Sequence, residues 1–126
     1  MERDAVIVAG FGFRSGATAA SLRAALDAAR IAGWPVTHLA TIEDKAEALA
    51  ELARLLVLPL IAVTPARIFG LATPTRSLAS QAARGAGSVA EACALVAAGP
   101  GARLLAPRSI SHDRMATCAL AAGVST

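Results

Sequence analysis

Apolar positions along the chain fall into two kinds of grouping, unbroken runs and stripes spaced three and four residues apart. The first run, Ala5 to Phe11, has Val6, Ile7 and Val8 at its centre and no polar alternate positions. That pattern predicts a strand buried on both faces. A stripe follows, with Leu22, Leu26, Ala29 and Gly33 on one side and Arg23, Asp27 and Arg30 elsewhere. It predicts a helix capped by Ser15 or Thr18, reaching about Arg30 and stopped by Gly33. Pro35 to Thr41 reads as a second strand, and Ile42 to Lys45 as a turn into a second helix. In that helix Asp44 is the expected N-cap with Glu47 at the third position, and Leu49, Leu52, Ala53 and Leu56 form the buried stripe. Leu58 to Val63 is a third strand, in which Pro59 fits only near the start or at an edge.

Thr64-Pro65 opens a short helix ending near Gly70, and the weakly periodic stretch from Leu71 to Gly87 reads as an exposed connection. Ser88-Val89-Ala90-Glu91 has the S-x-x-E spacing of a capping box and starts a helix to about Ala98, which Gly99-Pro100-Gly101 ends. Ala102 to Ala106 is a fourth strand, Pro107 to Asp113 a loop, and Met115 to Ala121 a last strand. The interval between the last two strands is too short for a helical crossover, so they are expected to pair antiparallel. Strands alternating with helices predict the α/β class: a three-layer α/β/α sandwich on a mostly parallel mixed sheet of about five strands, with an antiparallel C-terminal strand.

Length and composition narrow this further. A chain of 126 residues is expected to be one domain spanning 1–126. The hydrophobic fraction is 56% but aromatics make up only 3%. Alanine supplies much of the remainder, which predicts small helices pressed closely on the sheet. The net charge is +3, Lys45 is the single lysine, and the arginines are scattered. A nucleic-acid surface calls for a basic run interleaved with aromatics, so no nucleic-acid partner is expected. The apolar run from Leu55 to Val63 is interrupted by Pro59 and is too short to span a bilayer. Met1-Glu2-Arg3-Asp4 does not read as a signal peptide, so a cytoplasmic protein without a membrane partner is expected. Cys93 and Cys118 lack metal-ligand spacing and sit among small apolar residues, which predicts buried free thiols, no metal site and no cofactor.

Candidate chemistry centres on Gly10-Phe11-Gly12-Phe13-Arg14-Ser15-Gly16, read as a tight strand-to-helix turn that leaves N–H groups facing outward beside Arg14. A helix start of this kind receives anions. The glycine spacing is one residue off the dinucleotide fingerprint and the loop lacks the P-loop lysine. Glu43 at the end of the second strand could still serve as a ribose-binding acid, which keeps a nucleotide- or dinucleotide-binding enzyme or sensor as the alternative reading. Thr41 and Lys45 lie at the same expected sheet edge. Ser88 is explained by capping but starts a neighbouring helix there. His112 lies beside Asp113 in the loop before the last strand. No catalytic triad or paired-carboxylate pattern stands out.

Four stretches taken in order resemble the family of the cobalamin-biosynthesis protein CobE and the C-terminal domain of CbiG, the cobalt-precorrin-5A hydrolase. They are Gly10 to Gly16, Ala40 to Lys45, Gly87 to Ala92, and Asp113-Arg114-Met115-Ala116-Thr117-Cys118-Ala119. The resemblance spans nearly the whole chain and implies an α/β sandwich acting in corrin-ring assembly. It implies a precorrin or corrinoid ligand whose carboxylates meet Gly10, Gly12, Arg14, Ser15, Gly16, Thr41, Lys45, Ser88 and Arg108. Two roles follow from it: opening of a ring lactone with loss of a two-carbon fragment, or binding an intermediate for other corrin-pathway enzymes. CbiG-like hydrolases carry a further N-terminal region that this sequence lacks, so hydrolysis does not carry over directly. If the protein hydrolyses, Glu43 and His112 are the candidate bases, and the loop N–H groups can steady an oxyanion.

Overall fold

The computed structural model describes residues 6–68 and 88–123. In chain order the elements are β1 (Ile7–Phe13), α1 (Ala19–Ala29), β2 (His38–Ile42), a 3₁₀ turn (Glu43–Lys45), α2 (Ala46–Leu56), β3 (Leu60–Val63), α3 (Pro65–Ile68), α4 (Val89–Ala98), β4 (Arg103–Leu104), β5 (Ser109–Ile110) and β6 (Ala116–Ala122). The connection expected over 71–87, the end of the short helix near Gly70 and the first residues of the first strand lie outside the described residues.

The strands form one mixed sheet of order β3-β2-β1-β6-β4, with β5 also paired to β6. β1, β2 and β3 run parallel, with Gly10 level with Ala40 and Ala40 level with Ile61. β6 lies antiparallel along the whole of β1, from Ile7 opposite Ala122 to Phe13 opposite Ala116. The antiparallel pairing expected between the fourth strand and the last is that of β4 with β6. The two-residue β5 falls inside the stretch read as a loop. It has no periodicity of its own and is a strand only because Ser109 and Ile110 meet Cys118 and Thr117.

Alternation along β1 divides the core in two. Ile7, Ala9 and Phe11 face α1 and α2, packing with Leu22, Ala25, Leu26, Leu49 and Leu52. Val8 faces α4, in a second cluster with Ala40, Ile42, Ala92 and Cys93. The architecture is therefore the expected α/β/α sandwich. α1 begins at Thr18, whose hydroxyl accepts from the Ser21 N–H while Ser21 reaches back to the Thr18 N–H, a reciprocal cap. Pro59 sits just before β3, where its carbonyl accepts from the Leu39 N–H and no ladder donor is needed from it.

Three expectations are corrected. Gly10 and Gly12 are not in a turn, because β1 runs on to Phe13. Asp44 does not cap α2: it lies inside the 3₁₀ turn, and Lys45 occupies the N-cap position without a side-chain cap bond. The glycines in β1 answer to packing rather than to backbone angle. A Cβ on Gly10 would stand 2.3 Å from the Ala90 carbonyl oxygen and 2.5 Å from the Ala94 nitrogen. α4 therefore lies against the strand backbone itself. The third correction is the extent of the turn, which is confined to 14–18 and has Gly16 at φ +92 as its one left-handed residue.

Candidate functional site

The parallel strands end together at one edge of the sheet, and the connections that leave them there gather most of the residues singled out in the sequence. In open α/β sheets this carboxyl edge is where ligands bind. The β1–α1 loop supplies Arg14, Ser15 and Gly16, all exposed. The N–H groups of Ser15 and Gly16 have no acceptor among the described residues, whereas the Arg14 N–H donates to the Met115 carbonyl at 3.0 Å. That bond ties the loop to the turn between β5 and β6, so both turns hold their shape as one unit.

The second of those turns is built around a carboxylate. Asp113 accepts from the Ser111 hydroxyl at 2.5 Å, from the Ser21 hydroxyl at 2.6 Å and from the Met115 N–H at 3.1 Å. These bonds favour the ionised form, and they hold its carboxyl down to about 2 from the ordinary value of 3.8. Ser21 belongs to the α1 cap, so Asp113 links the start of α1 to the start of β6. Inside the turn Arg114 takes φ 63 and its N–H donates to the Ser111 carbonyl at 2.8 Å. His112 is exposed on the same turn, next to Asp113.

The Lys45 ammonium donates to the Phe13 carbonyl at 2.7 Å and stands 5.0 Å from the centre of the Phe13 ring. It fastens the 3₁₀ turn to the end of β1, which also explains why the helix start is displaced past Asp44. Thr41 is fully buried, its hydroxyl donating to the Phe11 carbonyl at 2.9 Å. Thr117 does the same on the other side, to Gly12 at 3.1 Å. Ser88 is fully buried and accepts from the Glu91 N–H. Glu91, also fully buried, accepts from the backbone N–H of Arg108 at 2.7 Å, which places that arginine beside the first turn of α4.

The candidate residues thus separate into two groups. Arg14, Ser15, Gly16, Glu43 and His112 are exposed at the edge and Lys45 is half-buried there, while Arg108 is half-buried beside the first turn of α4. Gly10, Thr41 and Ser88 are buried and form the support beneath the edge, while Gly12 is half-buried against Val89 and Thr117. Glu43 and His112 come from opposite sides of the edge, and no hydrogen bond joins them among the described residues. Two participants escape a reading by spacing. Arg114 is set beside Arg14 by the Arg14–Met115 bond, and the buried Glu91 looks like an ordinary capping residue until its contact with Arg108 is seen. The sequence signal for the first was the Asp113-Arg114-Met115 stretch.

A three-layer α/β/α domain with a basic, turn-built carboxyl edge is a binding architecture of wide use. Its particular family comes from comparison. The family model described as cobalamin synthesis G C-terminus matches residues 7–121. Among solved structures, CobE, a protein from the cobalamin (vitamin B12) biosynthetic pathway, superposes with a TM-score of 0.81 at 30% identity, covering 100% of this chain and 96% of that one. The cobalamin biosynthesis protein chiG from Agrobacterium tumefaciens superposes with a TM-score of 0.72 at 40% identity, covering 95% of this chain and 100% of that one. A search of curated proteins gives no match. The chain belongs to the CbiG C-terminal family of cobalamin synthesis.

Proposed function

We propose that the protein binds a precorrin or corrinoid intermediate of cobalamin synthesis by its peripheral carboxylates at the carboxyl edge of the sheet. The observation that carries this reading is the joining of two arginine-bearing turns, Arg14 on one and Arg114 on the other, through the Arg14–Met115 bond. Tetrapyrrole intermediates of this pathway carry acetate and propionate arms spread around a ring. Guanidinium groups at separate fixed points suit such a ligand, because each can take one carboxylate in a forked pair. Open N–H groups at Ser15 and Gly16 add neutral donors between them. The nucleotide reading rested on the glycines of this loop, and among the described residues Gly10 and Gly12 lie in β1 beneath α4 rather than in a phosphate-cradling loop.

Opening of a ring lactone is the finer possibility within this reading. It needs a group that removes a proton from attacking water; Glu43 and His112 have that chemistry and are exposed at the edge. The basic groups and open N–H donors favour a bound carboxylate whether or not that step follows.

Titration of the protein with a corrinoid bearing free side-chain carboxylates is expected to shift the ligand's absorption spectrum to saturation. Arg14→Ala and Arg114→Ala are each expected to weaken binding about tenfold, equivalent to roughly 1.4 kcal/mol. Unchanged affinity in both variants would remove this edge from the site. Incubation with a lactone-bearing precorrin and assay of released aldehyde tests the finer step: release abolished in His112→Ala or Glu43→Ala identifies the base, and no release from the unaltered protein restricts the function to binding.

A further inference from the structure

α2 leads away from the candidate site, so its C-terminus lies at the other end of the sheet, where β3 begins. There Ala50, Ala53, Arg54, Val57, Leu58, Pro59 and Leu60 line an open, mainly apolar groove of about 730 Å³. Val57 closes the helix in the left-handed region at φ 56, with its N–H and that of Leu58 taking the last helical carbonyls. Glycine is the usual residue in that position, and a β-branched side chain is costly there. Val57 is nevertheless 86% exposed, and Leu55 on the other flank of Arg54 is 66% exposed. Within one copy of the chain, neither conformation nor burial favours valine at this point.

The charges on the same face identify what covers it. Glu47, Glu51 and Arg54 are exposed on α2, and none has an ion-pair partner among the described residues. The acids occupy the first two turns and the arginine the last. A face with acid at one end and base at the other is complementary to itself when a copy is laid antiparallel across it. We infer that α2 and the groove beside it form a two-fold interface with a second copy of this chain. Arg54 of each copy pairs with Glu51 of the other, and Val57 of each enters the groove beside Ala50 of the other. The small side chains at Ala48 and Ala50 let the helices approach closely. The dimer leaves the carboxyl edges of both copies open.

Sedimentation equilibrium over a range of protein concentrations up to about 1 mM, the weak end of the affinity scale, tests this. The unaltered chain is expected to reach twice its monomer mass. Glu51→Arg and Arg54→Glu should each raise the dissociation constant tenfold or more, and the double exchange E51R/R54E should restore it. Val57→Gly should weaken the dimer by a similar factor while raising the melting temperature of the monomer at low concentration, because it relieves the left-handed valine. That opposite pair of effects distinguishes an interface residue from a merely structural one. A monomer at every concentration overturns the proposal. So does a dimer unaffected by Arg54→Glu and Val57→Gly, or a double exchange that fails to restore association.

Discussion

On one face of the sheet Ile7, Phe11 and Leu39 interlock with Leu22, Leu26, Leu49 and Leu52; on the other, Gly10 and Gly12 let the backbone of α4 come down where side chains would otherwise stand. The first face is held by volume. Each large side chain removes apolar surface from water and fills space left by its neighbours. At Gly10 the second face is held by the lack of volume, with Ala90 and Ala94 set against the strand backbone. The contrast bears on function. α4 must lie close for the buried Glu91 to reach the Arg108 N–H, so the tight face sets the position of one side of the candidate site. The voluminous face carries the start of α1 and, through Ser21, the Asp113 turn on the other side.

Substitutions on the two faces should therefore fail differently. The largest effect is expected from Gly10→Ala, which forces a methyl against backbone atoms at 2.3 Å and 2.5 Å that cannot rotate aside. The cost should be about 4 kcal/mol, above the usual overpacking range, and most of the protein should be recovered unfolded or insoluble. Denaturant titration checks it; a Gly10→Ala protein with unaltered midpoint would show that α4 is not seated on the strand. Leu22→Ala removes volume from the opposite face, where the side chain is 1% exposed. It should cost about 3 kcal/mol with cooperative unfolding retained, since the surrounding leucines can relax partly into the space.

A smaller effect, with a pH signature, is expected from Asp113→Asn. The carboxyl is held at about 2 in the folded chain against an ordinary value of 3.8, so ionised Asp113 favours the folded state. That contribution is fully present above the unfolded value, and it is lost as pH falls through the folded one. The variant should melt below the unaltered protein at neutral pH, and the gap should close as the pH approaches 2. A gap independent of pH would assign the loss to packing rather than to the charge. Cys118 gives no comparable signature, because burial pushes its thiol far above the usual range and keeps it neutral.

The order of the longer elements was legible from periodicity and punctuation. Unbroken runs became β1 and β3, striped segments became α1, α2 and α4, and Thr18 and Ser88 capped the helices that follow them. These features rest on interactions between residues near in sequence, which composition and spacing express directly. So does the antiparallel pairing of the last strands, because a short connection permits no other arrangement. The exposed turn between β1 and α1 that carries Arg14 was readable for the same reason. The resemblance in four ordered stretches likewise named the family that the comparisons show.

Tertiary structure decided which of those residues face solvent and which hold the site from below. Glycine in a sequence permits either a left-handed turn or a close approach by another element, and only the position of α4, brought from far along the chain, shows that Gly10 serves the second. Lys45 could be a free cation until the Phe13 carbonyl is found 2.7 Å from its ammonium. The turn carrying Arg114 reaches the candidate site because β6 runs back along β1 and sets Met115 against Arg14. β5 is a strand because β6 offers it a partner. In each case the determining contact is with a residue remote in the chain, and local preference carries no record of it.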